Sequence, residues 1–366
     1  MARFGSPTWL VLAFLWAVAA CVVVVDIWFI LRAPPLIKGP IAAFQMSPLV
    51  EVPRRSGVNL DGFEPIRAFF EEAGIPIDEE SRGKLPQSYR QIVDLYGAEP
   101  VVVGLDSCER FRDSVPAVRR MLGAAGMFST GTNLVTQLLK SNCQIPERVD
   151  FYGVNATKEA HGMRWQVPWG KHTPAHYRLL HATDKAKGIV KEDLLPVVTI
   201  RHPWRWMQSM CHNPYTARWR HRGCPSLKLG DDWNPVSVKY GAATENYSSL
   251  AHLFNDWYHD YYSKADYPFV MIRMEDLVFH TKSTIRQVCE CAGGAIRTDR
   301  PFRYVTDSAK KDSPGHDTST GLLEAWIKYS QTLPRRMEGL WTREDYEAAL
   351  ESLDQSMIDL FHYQNP

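Results

Sequence analysis

The chain carries almost no excess charge of either sign. Its 366 residues hold 42 Lys and Arg against 41 Asp and Glu, so total charge favours neither nucleic acid nor an acidic membrane surface as a partner. Internal repeats and low-complexity tracts are missing, which argues against a solenoid or a linker protein. Cysteine is scarce and scattered. Only Cys289 and Cys291 among the seven form a close pair, and a zinc site needs a second one. Aromatic residues are plentiful by contrast, with 12 Trp and 15 Tyr. Trp9, Trp16 and Trp28 fall in one N-terminal segment, and the other tryptophans lie between Trp165 and Trp341.

That segment, "WLVLAFLWAVAACVVVVDIWFIL", runs from Trp9 to Leu31 with Asp26 as its single charge. At about 1.5 Å rise per residue it reaches roughly 35 Å as a helix, enough for a hydrocarbon core of about 30 Å. The "AVA" at 17–19 resembles a cleavage site, but mostly apolar residues follow it, which favours an uncleaved anchor. Arg3 and the terminal amine on one side balance Arg32 and Lys38 on the other, so the positive-inside rule does not fix the orientation. Two sequons, at Asn155 and Asn246, matter only in a secretory lumen. The six cysteines after the anchor allow three disulfides there, and the Cys289-x-Cys291 pair can contribute to one or remain two thiols.

The expected organisation is a tail over residues 1–8, a membrane helix over 9–32, a stem over 33–95 and a folded domain over 96–366. The stem reading rests on the prolines and glycines of "RAPPLIKGP" and "VPRRSGVNLDG". From "PVVVGL" (100–105) onward, short apolar runs alternate with helical periodicity. "MLGAAGMF" precedes "LVTQLLK", "LLPVVTI" precedes "RHPWRWMQSMC", and "FVMIRM" precedes "EDLVFHTKSTIRQVCECAGG". Pro203 suits a helix start and the pair Gly293-Gly294 a helix stop. Such repeated strand–helix units predict an α/β fold, a parallel sheet flanked by helices.

Between the first strand and its helix lies "GMFSTGTN" (126–133). Its glycine spacing matches the Walker A frame, but Thr132 and Asn133 stand where the lysine and the magnesium-holding hydroxyl belong. The loop is read either as backbone amides cradling an anion at a helix N-terminus or as an ordinary strand-to-helix turn. A second feature favours the anion. Arg201 leaves a strand, Pro203 opens a helix and Ser209 follows on it, so that guanidinium and hydroxyl can converge on one phosphate.

In these residues the chain resembles the sulfotransferases that use 3′-phosphoadenosine 5′-phosphosulfate, with a P-loop-type sheet. The similarity extends over roughly residues 96–320, and "GTN", "WGKHTP" and "WMQSMC" have the texture of sulfotransferase-like proteins of single-celled algae. The resemblance implies that Ser129, Thr130, Gly131, Thr132 and Asn133 bind the 5′-phosphosulfate and that Arg201 and Ser209 bind the 3′-phosphate. A third shared phrase is "RMEDL" at 273–277. It further implies sulfuryl transfer to a hydroxyl of a carbohydrate, no metal, and a Golgi enzyme of type II topology with a lumenal domain. A sulfuryl group carries less charge than a γ-phosphoryl group, which suits a loop without lysine and magnesium ligand.

One position departs from the family, which keeps Lys or Arg where this chain has Ser129. Losing such a preorganised donor costs about 3–4 kcal/mol of transition-state stabilisation. Lys171 and His172 of "WGKHTP" are the expected substitutes, one as cation and one as base, although the phrase is one residue tighter than the family's. An imidazole titrates near neutrality and suits a general base, but it can equally serve as a loop hydrogen bonder. Glu159 and His161 are the alternative bases. Lys310 and Lys311 are candidates for the 3′-phosphate or for a solvated charge pair. Arg218, Arg220, His221 and Arg222 with Trp219 and Trp233 read either as an acceptor surface or as core. Two other classes stay open: a P-loop kinase or NTPase facing the cytosol, and a catalytically inactive binding protein of the same fold.

Overall fold

The computed structural model describes residues 59–180, 189–220, 224–309, 320–333 and 341–366. The expected tail, membrane helix and first part of the stem fall outside these residues. Among the described residues no helix is long and apolar enough to cross a membrane.

Five strands form the central sheet: β1 (Val102–Val103), β2 (Met121–Gly126), β3 (Met163–Arg164), β4 (Leu194–Ile200) and β5 (Val270–Arg273). Their order is β1-β5-β4-β2-β3. The last four are mutually parallel, as the alternation of strand and helix predicted. The edge strand β1 differs, since Val102 and Val103 pair antiparallel with Ile272 and Met271. The sheet is therefore mixed but mostly parallel.

Both faces of the sheet are covered, which is why β2 and β4 read as continuous apolar runs. Alternate residues serve opposite faces. Met121, Ala125, Leu194, Val198 and Ile200 join one cluster, with the helices Pro203–His212 and Leu250–Tyr262. Leu122, Ala124, Leu195, Val197, Val270 and Ile272 join the other, with the helices Thr132–Asn142 and Thr281–Cys291. Two disulfides staple this second face, Cys108–Cys291 and Cys143–Cys289, and a third joins Cys211 to Cys224. The close cysteine pair is thus neither two thiols nor one bridge; each member reaches a different partner. An antiparallel meander of Ala217–Arg218, Val236–Tyr240 and Ala243–Tyr247, which no periodicity announced, extends the first face.

The stem expectation is corrected from residue 59 onward. The helices Glu64–Ala73 and Arg90–Tyr96 bury Ile66, Phe70, Ile92 and Tyr96 against Val278, Phe279 and Trp326. Tyr96 Oη donates to Tyr329 O at 2.8 Å, and Arg273 donates back to Tyr96 O at 2.6 Å. These helices are amphipathic, and their apolar faces pack on the body, so the described residues from 59 onward belong to one unit.

Candidate functional site

After β2 the chain runs to β3 on one side and then crosses to β4 on the other. The crevice beyond the carboxyl ends of β2 and β4 is therefore a topological switch point, where open α/β sheets bind ligands. A cleft of about 880 Å³ lies there. Ser129, Gly131, Thr132, Asn133, Lys171, His172, Arg201 and Ser209 all line it, although they come from four segments of sequence.

The loop is held by its carbonyls. Met127 O accepts from Thr130 Oγ1 (2.7 Å), Phe128 O from Trp206 Nε1 (2.9 Å) and Ser129 O from Arg201 Nη1 (3.0 Å). Thr130 is fully buried and also meets the Thr199 hydroxyl at 2.9 Å, so it supports the loop from behind. The amides of Ser129 through Leu134 donate to no protein acceptor among the described residues. A run of such amides at a helix N-terminus favours an anion through both direct N–H bonds and the helix dipole. Ser129 sits at φ 59°, a left-handed conformation rare outside glycine, and strain of this kind concentrates at ligand-binding loops. Gly126 must be glycine, since a Cβ there would stand 2.8 Å from Thr199 O.

Arg201 brings a buried charge to the site. Its Nη1 donates to Ser209 Oγ at 2.7 Å as well as to the loop, and the side chain is only 4 % exposed. Its hydrogen bonds go to Ser129 O and Ser209 Oγ, with no carboxylate paired to it among the described residues, and its Nε is buried without a partner. The guanidinium also stands 5.3 Å from the centroid of the Tyr329 ring, and a buried cation with neutral oxygens and one ring for partners still favours an anion. The preceding turn is fixed by Glu275, which accepts from His202 N at 3.1 Å and from Tyr363 Oη at 3.1 Å. Arg273 of the same phrase forms a buried pair with Asp276. "RMEDL" thus anchors the Arg201 turn and does not line the cleft, apart from Met274. Burial, with Arg205 nearby, pushes the His202 imidazole down to about 3, so it is neutral.

Lys171 and His172 are tied to Gly126, the last residue of β2. Gly126 N donates to Lys171 O at 2.9 Å, and His172 Nδ1 lies 2.7 Å from Gly126 O. The second contact puts the Nδ1 proton toward the carbonyl, so the neutral ring keeps its lone pair on Nε2. Lys171 Nζ donates to Asn133 Oδ1 at 2.7 Å and stands 3.7 Å from the Trp165 ring centroid. The cation therefore reaches the first turn of the loop helix from a neighbouring segment.

Glu159 and His161 are corrected as candidate bases, because neither lines the cleft. Glu159 is ion-paired with Lys140. Burial raises its carboxyl, but the Lys140 hydrogen bond and the charges of Lys140 and Arg164 prevail and hold it below the usual range, making it a weaker base. His161 is buried with Nε2 against Gly153 O. Lys310 and Lys311 lie outside the described residues; Ala309 and Thr320 on either side of that stretch line the cleft. Trp219 and Trp233 pack against the core, and Arg218 bonds the carbonyls of Tyr215 and Ala217. His221 and Arg222 are not among the described residues.

Sequence reasoning missed Trp165, the tether from Trp206, and the far wall of Lys328 and Tyr329. Only Trp165 left a trace, as a tryptophan just after β3 and shortly before "WGKH". No protein-family model, curated protein or solved structure matches the chain.

Proposed function

We propose that the chain is a sulfotransferase with a P-loop-type domain that moves a sulfuryl group from 3′-phosphoadenosine 5′-phosphosulfate to a hydroxyl of a carbohydrate. The observation that carries this reading is the buried Arg201, without a carboxylate partner among the described residues, facing the same cleft as a run of unengaged loop amides and the Lys171–His172 pair. Two separate cationic or N–H-rich sites in one cleft suit a nucleotide with phosphate at both ends of its ribose.

In this reading the amides of 129–134 hold the 5′-phosphosulfate, and Arg201 with Ser209 holds the 3′-phosphate. His172 Nε2 takes the acceptor's hydroxyl proton while that oxygen forms its bond to sulfur. The bond from sulfur to the bridging phosphate oxygen breaks, and the electron pair leaves with adenosine 3′,5′-bisphosphate. Lys171 meets the charge that builds on this leaving group. Positioning and preorganised charge supply the catalysis.

The domain belongs, in the same proposal, in the Golgi lumen behind an anchor at Trp9–Leu31, with type II topology. Three disulfides support an oxidising compartment. Calorimetric titration tests the nucleotide assignment: adenosine 3′,5′-bisphosphate binds without magnesium, and ATP and GTP bind more weakly. Equal affinity for adenosine 5′-phosphate, which lacks the 3′ group, refutes it.

A further inference from the structure

The helix Pro146–Tyr152 ends on a surface that the proposed reaction does not use. Phe151 is 72 % exposed, Tyr152 49 % and Val154 70 %. Single exposed apolar side chains are ordinary, but three large ones in four residues form a patch. The two rings meet edge to face at 4.8 Å, and the Arg148 guanidinium stands 5.1 Å from the Tyr152 centroid. The chain then turns at Gly153 (φ 87°), where Ala156 N donates to Gly153 O at 3.1 Å. Asn155 stands in that turn, exposed, and opens the sequon Asn155-Ala156-Thr157.

Asn246, the other sequon asparagine, has different surroundings. It lies within a paired strand opposite Ser237, whose hydroxyl donates to its Oδ1 at 2.5 Å, and its neighbour Tyr247 is buried. No exposed apolar cluster flanks it among the described residues.

We propose that Asn155 carries an N-linked glycan whose first sugars lie on the surface of Phe151, Tyr152 and Val154. The inference rests on the lumenal placement proposed above. In the modification, Asn155 Nδ2 bonds to C1 of the reducing-end sugar of a lipid-pyrophosphate-linked oligosaccharide. The bond from C1 to the pyrophosphate oxygen breaks, and the displaced amide proton leaves with the lipid pyrophosphate. A pyranose presents a face of C–H groups, which covers aromatic rings and removes their area from water. The patch thus has an occupant supplied by the chain's own next residue.

The test expresses the full chain in a secretory eukaryotic cell, with and without an added sequon after Pro366. Peptide N-glycosidase should increase the mobility of the wild type, and Asn155→Gln should lack one glycan's share of that shift. A modified C-terminal sequon beside an unmodified Asn155 overturns the inference while leaving the lumenal placement intact. Modification at neither position overturns both. For the covering role, the glycosylated wild type should melt about 2 °C above Asn155→Gln. That gap should close in the Phe151→Ser/Tyr152→Ser background. An equal gap in both backgrounds overturns the contact between sugar and patch.

Discussion

His202 offers a test of the site's scaffold that needs no substrate. Its imidazole is buried between β4 and the helix Pro203–His212, with Nε2 at 2.9 Å from Gln364 O and the ring 4.6 Å from that of Tyr363. Burial and the charges of Arg205, Arg201 and Arg273 outweigh that hydrogen bond and lower its pKa from 6.5 to about 3. Between these values the unfolded chain binds a proton that the folded chain refuses. Stability from this group is therefore complete above the unfolded value and falls as pH drops below it. Moving from about pH 7.5 to about pH 5 crosses roughly 1.5 pH units of that window, a loss of about 2 kcal/mol. His202→Gln keeps a donor for Gln364 O and cannot titrate. Urea unfolding at both pH values should show the wild type losing about 2 kcal/mol more than the variant. Other titrating groups cancel in this difference. Equal losses would mean that His202 accepts a proton in the fold and is not held there as a buried, neutral ring.

Arg201→Ala should weaken adenosine 3′,5′-bisphosphate binding by roughly 2–4 kcal/mol, with Arg201→Lys retaining part of it, as titration calorimetry would show. Lys171→Ala should lower kcat with little change in bisphosphate affinity, because the charge it meets develops only in the transition state. His172→Ala should lower kcat by roughly 100-fold and remove the acidic limb of the pH–rate profile. Replacing Cys143 and Cys289 by Ala should destabilise by about 4 kcal/mol in denaturant unfolding. With Cys108–Cys291 intact the second bridge closes a loop of only about 37 residues, so the cost stays below the roughly 5 kcal/mol of the open chain.

The strand–glycine loop–helix unit was legible because its signals are local. A buried strand, two glycines and an amphipathic helix sit within some twenty residues of Met121, and the Arg201–Pro203–Ser209 spacing lies on one strand end and one helix. What depended on remote partners was hidden. The direction of β1 follows from its docking beside β5, and a two-residue strand holds no hint of it. Ile66 and Phe70 were readable as a helix face, but their cover, Trp326, lies far along the chain, so prolines and glycines nearby made the segment look like a stem. Glu159 has the chemistry of a base, and only the fold shows Lys140 against it. The convergence of Lys171 with Asn133 was likewise invisible, although each residue stood out by itself.

That convergence bears on the missing loop lysine. Position 129 offers its backbone: the carbonyl accepts from Arg201, and the amide, in a left-handed residue that lines the cleft, donates to no protein acceptor among the described residues. A side chain with charge is not required for either task. The cation comes instead from the segment that β2 holds at Gly126, where Lys171 O and His172 Nδ1 bond the two sides of one peptide residue. Lys171 and His172 are thereby fixed to the rigid end of a central strand rather than to the loop itself. The two side chains of this turn reach different neighbours, the Lys171 ammonium meeting Asn133 and the His172 imidazole lying beside Phe128, whose ring is 4.8 Å away. A loop lysine would supply charge alone. In the proposed transfer, a cation on this turn is coupled to an imidazole whose Nδ1 bonds Gly126 O, and a reaction that must both steady a departing anion and move a proton gains from holding the two groups on one anchored segment.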